Sequence, residues 1–335
     1  MSDAILQLPS VPEGLREAAQ RGILIPFIGA GVSRLAGCPD WNTFADGALR
    51  IFVDQKKLSY SELAQINQLS PRIKLSLARA LEEEHNIPIN FQEILHPTGG
   101  HDHRQGRRLY QALSKLATTF ITTNYDRWLD NELQQPGLSV TEEEQPTGTI
   151  EDSSRRILYR PQEFTPAELS RANTVIHLHG SLREPRGMIL TTSDYLKHYS
   201  NDRSQNENRV LTLLEHLFEH KCVLFIGYGL EELEILEYVI LKAGRGVSRP
   251  RPQEVRHYLL QGFFLHQEPL LRSLKKYYRR ECQIEVVPFQ RDQNDWGQLI
   301  DVVEHLALSI PSSAPGVLQK AQEMEDLLKE DPLNG

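Results

Sequence analysis

Cysteine is scarce in this sequence. Cys38, Cys222 and Cys282 are its only three cysteines, and no two of them stand in C-x-x-C spacing. Isolated cysteines of this kind build neither a disulfide framework nor a cysteine-held zinc site. Both kinds of support are therefore excluded for this fold.

Long apolar runs and an excess of basic charge are also missing. No apolar segment approaches the roughly 20 residues that cross a bilayer, and the amino-terminal MSDAILQLPSVPEG lacks the charged start and apolar run of a signal peptide. The 37 basic residues are outnumbered by 45 acidic ones, which gives a net charge of −8. We therefore expect a cytoplasmic protein with no membrane segment and no general nucleic-acid surface.

What the chain has is enough length and apolar content for a substantial core. Its 335 residues are 39% hydrophobic and 24% charged, which is ordinary for a globular protein. Short apolar or β-branched runs alternate with stretches of helical periodicity, and no internal repeat is visible. This alternation predicts an α/β fold, a Rossmann-like parallel sheet of about six strands with helices on both faces.

The same pattern predicts how the chain is divided. Residues 1–310 are expected to form one domain, with a helical insertion at about 43–116 after the first βα unit and a surface excursion at about 134–173. Within the insertion, Pro71 is expected to break a helical run into two helices. The remaining residues, 311–335, are expected to form a carboxyl-terminal helix and tail.

The first predicted strand ends in a glycine corner. The run Ile23–Ser33, ILIPFIGAGVS, passes from a buried strand to the amino end of a helix, with Gly29 and Gly31 at the turn. Glycine at such a turn allows either tight packing or a close approach of a phosphate to the main chain. Arg34 stands where the dinucleotide fingerprint of dehydrogenases has its third glycine, so the match to that pattern is partial.

Three further predicted strands end in polar or glycine residues. They are followed by Asn124 with Asp126, by His179 with Gly180, and by Gly227, Tyr228 and Gly229. Ligands of open parallel sheets bind beyond the carboxyl ends of the strands, where these residues would meet. Four such ends on one rim predict a binding site, because a purely structural sheet has no need of them there.

The side chains at these strand ends suggest distinct roles. Asn124 can donate and accept hydrogen bonds at once, which suits a ribose hydroxyl or a water, and His179 can accept a proton near neutral pH. Asp126 either orients a neighbour or caps the following helix, and Ser33 either caps the first helix or touches phosphate. His177 lies on the opposite face of its strand and is predicted to be a buried core histidine.

Taken together, these residues resemble the Sir2 (sirtuin) family. The matching motifs are GAGVS followed by Pro39 and Asp40, T-N-x-D at Asn124 and Asp126, H-G at His179 and Gly180, and G-x-G-L at Gly227 to Leu230. The longer forms FIGAGVS, TTNYDRWLD, HLHGS and FIGYGLEE are more similar to the bacterial SIR2-like NAD hydrolases of antiphage defence systems. The resemblance covers about residues 22–308.

The resemblance implies a site in which Asn124 and His179 carry out the cleavage of NAD+ to nicotinamide and ADP-ribose. It also implies that NAD+ is cradled by residues at and near the two glycine corners, namely Gly29, Ala30, Gly31, Ser33, Asp40, Trp41, Asp126, Gly227, Tyr228, Gly229 and Leu230. Tyr228 stands between two glycines, which favours a place in the site, whereas Trp41 either lines the site or fills the rim.

Departures from the sirtuin pattern narrow the expected activity. Deacylating sirtuins carry a zinc module held by four cysteines, which this chain cannot form, so we expect no zinc. Asn42 replaces the arginine of the sirtuin P-D-F-R, and Thr123 replaces the glutamine before the asparagine. These changes disfavour a protein deacylase and leave hydrolysis of NAD+ itself. A non-catalytic NAD+ or ADP-ribose sensor is the alternative, while a dehydrogenase would need the complete fingerprint.

The resemblance further implies that activity is restrained. Unrestrained NAD+ hydrolysis would kill the host, so depletion of NAD+ in abortive infection needs a trigger. Members of the family are typically oligomeric and act with a HerA-like ATPase or an Argonaute-type protein, or respond to a phage component. We expect no fused sensor domain after the sheet and therefore a separate activating partner. We also expect a homo-oligomer and no direct binding of nucleic acid.

Overall fold

The computed structural model describes residues 5–96, 104–132, 155–200, 208–229 and 256–310. Several predicted features lie outside these ranges: Leu230, residues 134–154 of the surface excursion, and the carboxyl-terminal helix and tail at 311–335. The sequence also predicts a helix at residues 231–243, and this too lies outside the described residues. Among the helices that are described, none is long and apolar enough to cross a membrane.

The described residues contain seven strands and twelve α-helices. The strands are β1 (Leu24–Ile28), β2 (Thr119–Thr122), β3 (Arg156–Leu158), β4 (Thr174–His177), β5 (Cys222–Ile226), β6 (His257–Phe263) and β7 (Ile284–Gln290). The helices of the first half are α1 (Glu13–Gln20), α2 (Ala30–Leu35), α3 (Trp41–Asp54), α4 (Tyr60–Ile66), α5 (Pro71–His85), α6 (Phe91–Leu95), α7 (Arg104–Leu116) and α8 (Trp128–Glu132). Those of the second half are α9 (Thr192–Tyr199), α10 (Arg209–His220), α11 (Glu268–Glu281) and α12 (Gln298–Ser309).

The strands form one parallel sheet in the order β3-β4-β2-β1-β5-β6-β7. The predicted α/β architecture is therefore confirmed, with seven strands in place of about six. The strand that accounts for the difference is β3, an edge strand of three residues whose first residue is exposed. A strand this short and half-exposed carries too little alternation to be recognised with certainty in a sequence.

Helices cover both faces of the sheet, which explains why its central strands read as continuous apolar runs. Leu24 and Ile28 of β1 pack in a cluster with α1, α7 and α12, while Ile25 and Phe27 pack on the other face with α10 and α11. Every residue of β1 and β5 is buried. Both strands therefore need apolar side chains on both faces, as strands in the middle of a parallel sheet do.

The helical insertion forms a smaller core of its own. Helices α3, α5 and α6 pack around Phe44, Leu49, Phe52 and Phe91. Pro71 is the first residue of α5, where a missing N–H costs nothing, so the predicted break is confirmed. The last predicted helix of the insertion, α7, instead packs on the sheet.

The order of the strands fixes where the site must lie. After β1 the chain forms β2 beside it, then the edge strand β3, and then β4 between β3 and β2. It next crosses to the other side of β1 to form β5, so β1 marks the switch point of the sheet. Ligands of such sheets bind outside the carboxyl ends of the strands at this point. The register aligns those ends, since Ile28 pairs with Thr122 and with Ile226.

The glycine corners after β1 and β5 interlock at this switch point. A Cβ on Gly29 or Gly31 would lie 2.7 or 2.8 Å from the carbonyl oxygen of Gly227. Gly227 has φ +74°, and a Cβ there would lie 2.7 Å from the backbone nitrogen of Val32. Glycine is therefore required at these positions by the close approach of the two corners.

We predict that Gly227→Ala destabilises the protein while Gly229→Ala does not. Alanine at position 227 combines a left-handed backbone with a collision at Val32, so the free energy of unfolding should fall by roughly 2 kcal/mol or more. A Cβ on Gly229 meets nothing within 4 Å, and that variant should stay within ~0.5 kcal/mol of wild type. Chemical denaturation of both variants tests this, and an equal change in both would contradict it.

Candidate functional site

The glycine corner after β1 contributes close approach rather than backbone donors. The N–H groups of Gly29 and Gly31 donate to the carbonyl oxygens of Ile226 and Gly227, at 2.9 and 2.8 Å. Both donors are thus used to join the ends of β1 and β5. The close contact expected from the tight-packing interpretation of the glycines is therefore observed, and the approach of a phosphate to this corner stays a prediction.

Asn124 is held by its backbone and its side chain at the end of β2. Its backbone N–H donates to Thr122 Oγ1 at 3.0 Å, and that hydroxyl in turn donates to the Ile28 carbonyl of β1 at 2.8 Å. Its side-chain Nδ2 donates to the Gly29 carbonyl at 2.9 Å and to Ser33 Oγ at 2.7 Å. A carbonyl only accepts, so the orientation of the amide group follows from chemistry.

Among the described residues, these contacts leave one polar atom of the Asn124 side chain for another partner. Its Oδ1 accepts no hydrogen bond from the described residues. The amide oxygen is therefore the side-chain atom of Asn124 that is left to accept a hydrogen bond from a ligand or a water. An oxygen held in this way presents a fixed acceptor, as a ribose hydroxyl or a positioned water would require.

Ser33 and Asp126 complete a directed hydrogen-bond chain behind Asn124. Ser33 Oγ donates to Asp126 Oδ2 at 2.5 Å, and Asp126 Oδ1 accepts from the N–H of Trp128 at 3.0 Å. Because Trp128 begins α8, Asp126 accepts the first N–H of that helix while it also orients Ser33, so both interactions expected of Asp126 are present. The prediction that Ser33 caps α2 is wrong, because Gly29 precedes that helix and Ser33 lies inside it.

His179 lies at the same edge of the sheet as Asn124 but has different neighbours. Thr122 and His177 pair in the register, and Asn124 and His179 each follow two residues later. His179 Nε2 lies 2.7 Å from the Tyr199 hydroxyl, and its Nδ1 lies 3.4 Å from the Tyr195 hydroxyl. The side chains of Asn124 and His179 have no hydrogen bond to each other, so within the described ranges they belong to two separate clusters at this edge of the sheet.

The His179 cluster keeps its imidazole neutral. Burial lowers the pKa of His179 well below its ordinary value of 6.5, and the charges of His198 and Arg72 lower it further. Burial also raises the pKa of the Tyr199 hydroxyl, with Tyr195 adding to the effect. The Arg72 guanidinium stands 4.2 Å from the centre of the Tyr195 ring. A neutral imidazole has a lone pair with which to accept a proton.

The remaining predicted site residues are distributed over the rim and the core. Asp40 accepts from the N–H of Thr43 at 2.8 Å, and this bond lowers its pKa and starts α3. Trp41 stacks on Phe44 and on Tyr125, so it joins the insertion to the residue after Asn124.

Tyr228 occupies a core position. Its ring packs against Phe27 and Phe225, and only its hydroxyl, 2.8 Å from Thr123 Oγ1, reaches a strand end. Ala30 is partly exposed beside the interlocked corners, Gly229 is exposed, and Leu230 lies outside the described residues. Direct contacts of these residues with a ligand stay predictions.

Several residues of the site were not found by sequence reasoning. Thr122 links β1 to Asn124 from inside a strand where it reads as an ordinary β-branched residue. Tyr195 and Tyr199 stand four residues apart and so share a face of α9, which the Thr191 capping box starts. That spacing was a usable signal, but it could not reveal that the face meets His179.

The cysteines show no sign of reactivity. All three are buried, and burial raises the pKa of Cys38, with the charge of Asp126 adding to it, and also that of Cys222. Thiols that stay protonated are poor nucleophiles and poor metal ligands. Within the described ranges, no group of three or more His, Cys, Asp or Glu residues is arranged to hold a metal ion.

Comparison with known proteins shows that the segment carrying most of these site residues matches one protein family. Residues 118–286 match the SIR2-like domain family, a segment that runs from the start of β2 into β7 and includes Asn124, His179 and Gly227. The chain is also similar to "Defense-associated sirtuin 2" of Bacillus subtilis, with 25% identity over 228 residues. That alignment covers 66% of this chain and 19% of the relative, so the chain spans about a fifth of the relative's length.

We predict that Ser33→Ala destabilises the protein by about 1–3 kcal/mol, because it leaves an N–H of Asn124 and an oxygen of Asp126 buried without their partner. Ser114→Ala is the matched control, since it removes a hydroxyl that donates to the Gln111 carbonyl on an exposed helix surface. Urea denaturation measures both. If the two variants unfold at the same urea concentration as wild type, the hydrogen-bond chain does not support the site.

Proposed function

The chain belongs to the SIR2-like domain family, and on that basis we propose that it is an NAD+ glycohydrolase. The reaction breaks the bond between nicotinamide and ribose, consumes one water, and yields nicotinamide, ADP-ribose and a proton. The observation that carries the proposal is the fixed amide of Asn124, whose open oxygen lies at the strand end next to that of His179.

The hydrogen bonds of Asn124 give its side chain the fixed position that cleavage of the nicotinamide–ribose bond requires. As nicotinamide leaves with the bonding electron pair, the ribose carbon develops positive charge and must be met by a correctly placed water. An acceptor held by two side-chain and two backbone hydrogen bonds can orient that water or a ribose hydroxyl without reorganising. We propose that Asn124 Oδ1 has this role.

His179 is proposed as the base. Its lowered pKa keeps it neutral at physiological pH, so it can accept the proton of a ribose hydroxyl or of the attacking water. Its Nε2 is hydrogen-bonded to the Tyr199 hydroxyl, so a substrate that gives its proton to this nitrogen has to displace that hydroxyl. The need for this displacement agrees with an enzyme whose activity is restrained until NAD+ or an activator reshapes the rim.

The biological role proposed for the enzyme is antiphage defence through depletion of NAD+ in abortive infection. Support comes from the name of its relative, "Defense-associated sirtuin 2", and from the family of the matched segment. A homo-oligomer and a separate activator, such as a HerA-like ATPase, an Argonaute-type protein or a phage component, belong to the same proposal. Its predicted cytoplasmic location would give it access to the NAD+ pool.

We predict that the purified protein, alone or with the products of neighbouring genes, releases nicotinamide from NAD+. Asn124→Ala and His179→Ala should each lower this release by at least about 100-fold, because one removes the fixed acceptor and the other the base. His266→Ala, which changes an exposed histidine of the turn Leu265–Gln267, is the control and should leave the rate unchanged. Chromatography of the products measures all four proteins.

Two outcomes would contradict the proposal in different ways. Full activity in both Asn124→Ala and His179→Ala would show that other residues perform the chemistry. Binding of NAD+ without turnover, in every assembly tested, would instead support the sensor as the function of the site.

A further inference from the structure

We propose that His177 is a positioning residue that fixes Asn124 through the Asn124 backbone carbonyl. The proposal rests on the function proposed above, since it concerns the geometry of the same asparagine. It changes the role of His177 from a histidine that fills the core to one that sets where the Asn124 amide stands.

The contact that carries the proposal is inside the protein. His177 is the last residue of β4 and has no exposed surface, which confirms the prediction that it is buried. Its Nδ1 lies 2.9 Å from the carbonyl oxygen of Asn124. A carbonyl oxygen only accepts, so Nδ1 carries a proton and donates it to this bond.

The second ring nitrogen is held by a buried carboxylate. His177 Nε2 lies 2.8 Å from Asp130 Oδ1, and Arg183 Nε donates to Asp130 Oδ2 at 2.9 Å. Both nitrogens of His177 thus face acceptors, so the ring is a cation paired with the Asp130 anion. Burial works against this charge, but the bond and charge of Asp130 and the Asn124 carbonyl outweigh it and raise the pKa of His177.

The ion pair of His177 and Asp130 is held in place by two other parts of the chain, so it can fix the position of the His177 ring. Asp130 belongs to α8, and Arg183 follows the strand end that carries His179. Burial raises the pKa of Asp130, yet the hydrogen bonds and charges of His177 and Arg183 bring it below its ordinary value. Since a buried unpaired charge is costly, this pair disfavours any movement that would separate the ring from Asp130.

His177 therefore supplies one of the anchors of Asn124. The Asn124 backbone is held at its N–H by Thr122 and at its carbonyl by His177, while the side-chain N–H groups are held by Gly29 and Ser33. Releasing the carbonyl allows the peptide to rotate and takes Oδ1 with it. A displacement of about 1 Å at a catalytic group costs on the order of 100-fold in rate.

Two substitutions each remove one of the two hydrogen bonds of His177 and keep the other. In asparagine, Nδ2 is as many bonds from Cα as histidine Nδ1, so His177→Asn keeps a donor for the Asn124 carbonyl and loses the bond to Asp130. In glutamine, Nε2 corresponds to histidine Nε2, so His177→Gln keeps the bond to Asp130 and loses the one to Asn124. Both variants are neutral and leave Asp130 paired with Arg183.

The proposal predicts that the rate of nicotinamide release depends on the hydrogen bond to Asn124 and not on the stability of the variant. His177→Asn should retain activity within about tenfold of wild type, while His177→Gln should lose about 100-fold. A merely structural histidine predicts the opposite order, because His177→Gln retains the bond to Asp130. Urea denaturation of both variants shows whether the order of activities differs from the order of stabilities, and equal activities would overturn the proposal.

A second measurement decides the matter even if the protein does not hydrolyse NAD+. In wild type both side-chain N–H groups of Asn124 are hydrogen-bonded, so they should exchange slowly with solvent in NMR spectra of the nitrogen-15-labelled protein. Exchange should accelerate in His177→Gln and stay near wild type in His177→Asn. The same exchange rate in both variants contradicts the proposal, whereas absence of nicotinamide release from wild type contradicts only the proposed function.

Discussion

The site depends on one asparagine amide that spans the ends of two strands. Asn124 leaves β2, but its two side-chain N–H groups donate to Gly29 and Ser33, which follow β1. Thr122 makes the parallel link between the strands themselves by donating to the Ile28 carbonyl. Because both donors of the amide are used, its oxygen is left as a single acceptor with a fixed direction. The position of this oxygen is therefore set by the sheet and not by a flexible loop.

The glycines serve this arrangement by letting the corners come together. Gly29 and Gly31 touch the backbone of Gly227, and their N–H groups are used to join β1 to β5. The Gly29 carbonyl is thereby held in place to receive the Asn124 amide. Close packing and ligand binding compete as interpretations of a glycine corner. Here the two are compatible, because the packed corner orients Asn124, the residue proposed to face the ligand.

Most of the fold, and the edge of the sheet at which Asn124 and His179 lie, could be predicted from the sequence, but most side-chain partners could not. Parallel strands bring their carboxyl ends to one edge, so Asn124 and His179 were expected together as soon as the strands were recognised. Ser33 was misread as a cap because its true partners, Asn124 and Asp126, are more than 90 residues away along the chain. The two acceptors of His177, Asn124 and Asp130, are 53 and 47 residues away and were hidden for the same reason. The packing of the Tyr228 ring in the core was not foreseen either, and its contact with a ligand stays a prediction. A local sequence pattern identifies helices and strands. Contacts between side chains that are far apart in the sequence depend instead on how those helices and strands are aligned in the fold.

The central claim is that the rim formed by the ends of β1, β2, β4 and β5 binds NAD+ with its ribose at Asn124. A crystal structure with an NAD+ analogue, in which a methylene group replaces the ring oxygen of the nicotinamide ribose, tests this most directly because the analogue resists cleavage. We expect a ribose hydroxyl, or a water beside the ribose, within ~2.6–3.2 Å of Asn124 Oδ1 and the ribose facing His179. An analogue bound elsewhere on the protein, or bound at this rim with its ribose away from Asn124, would contradict the claim.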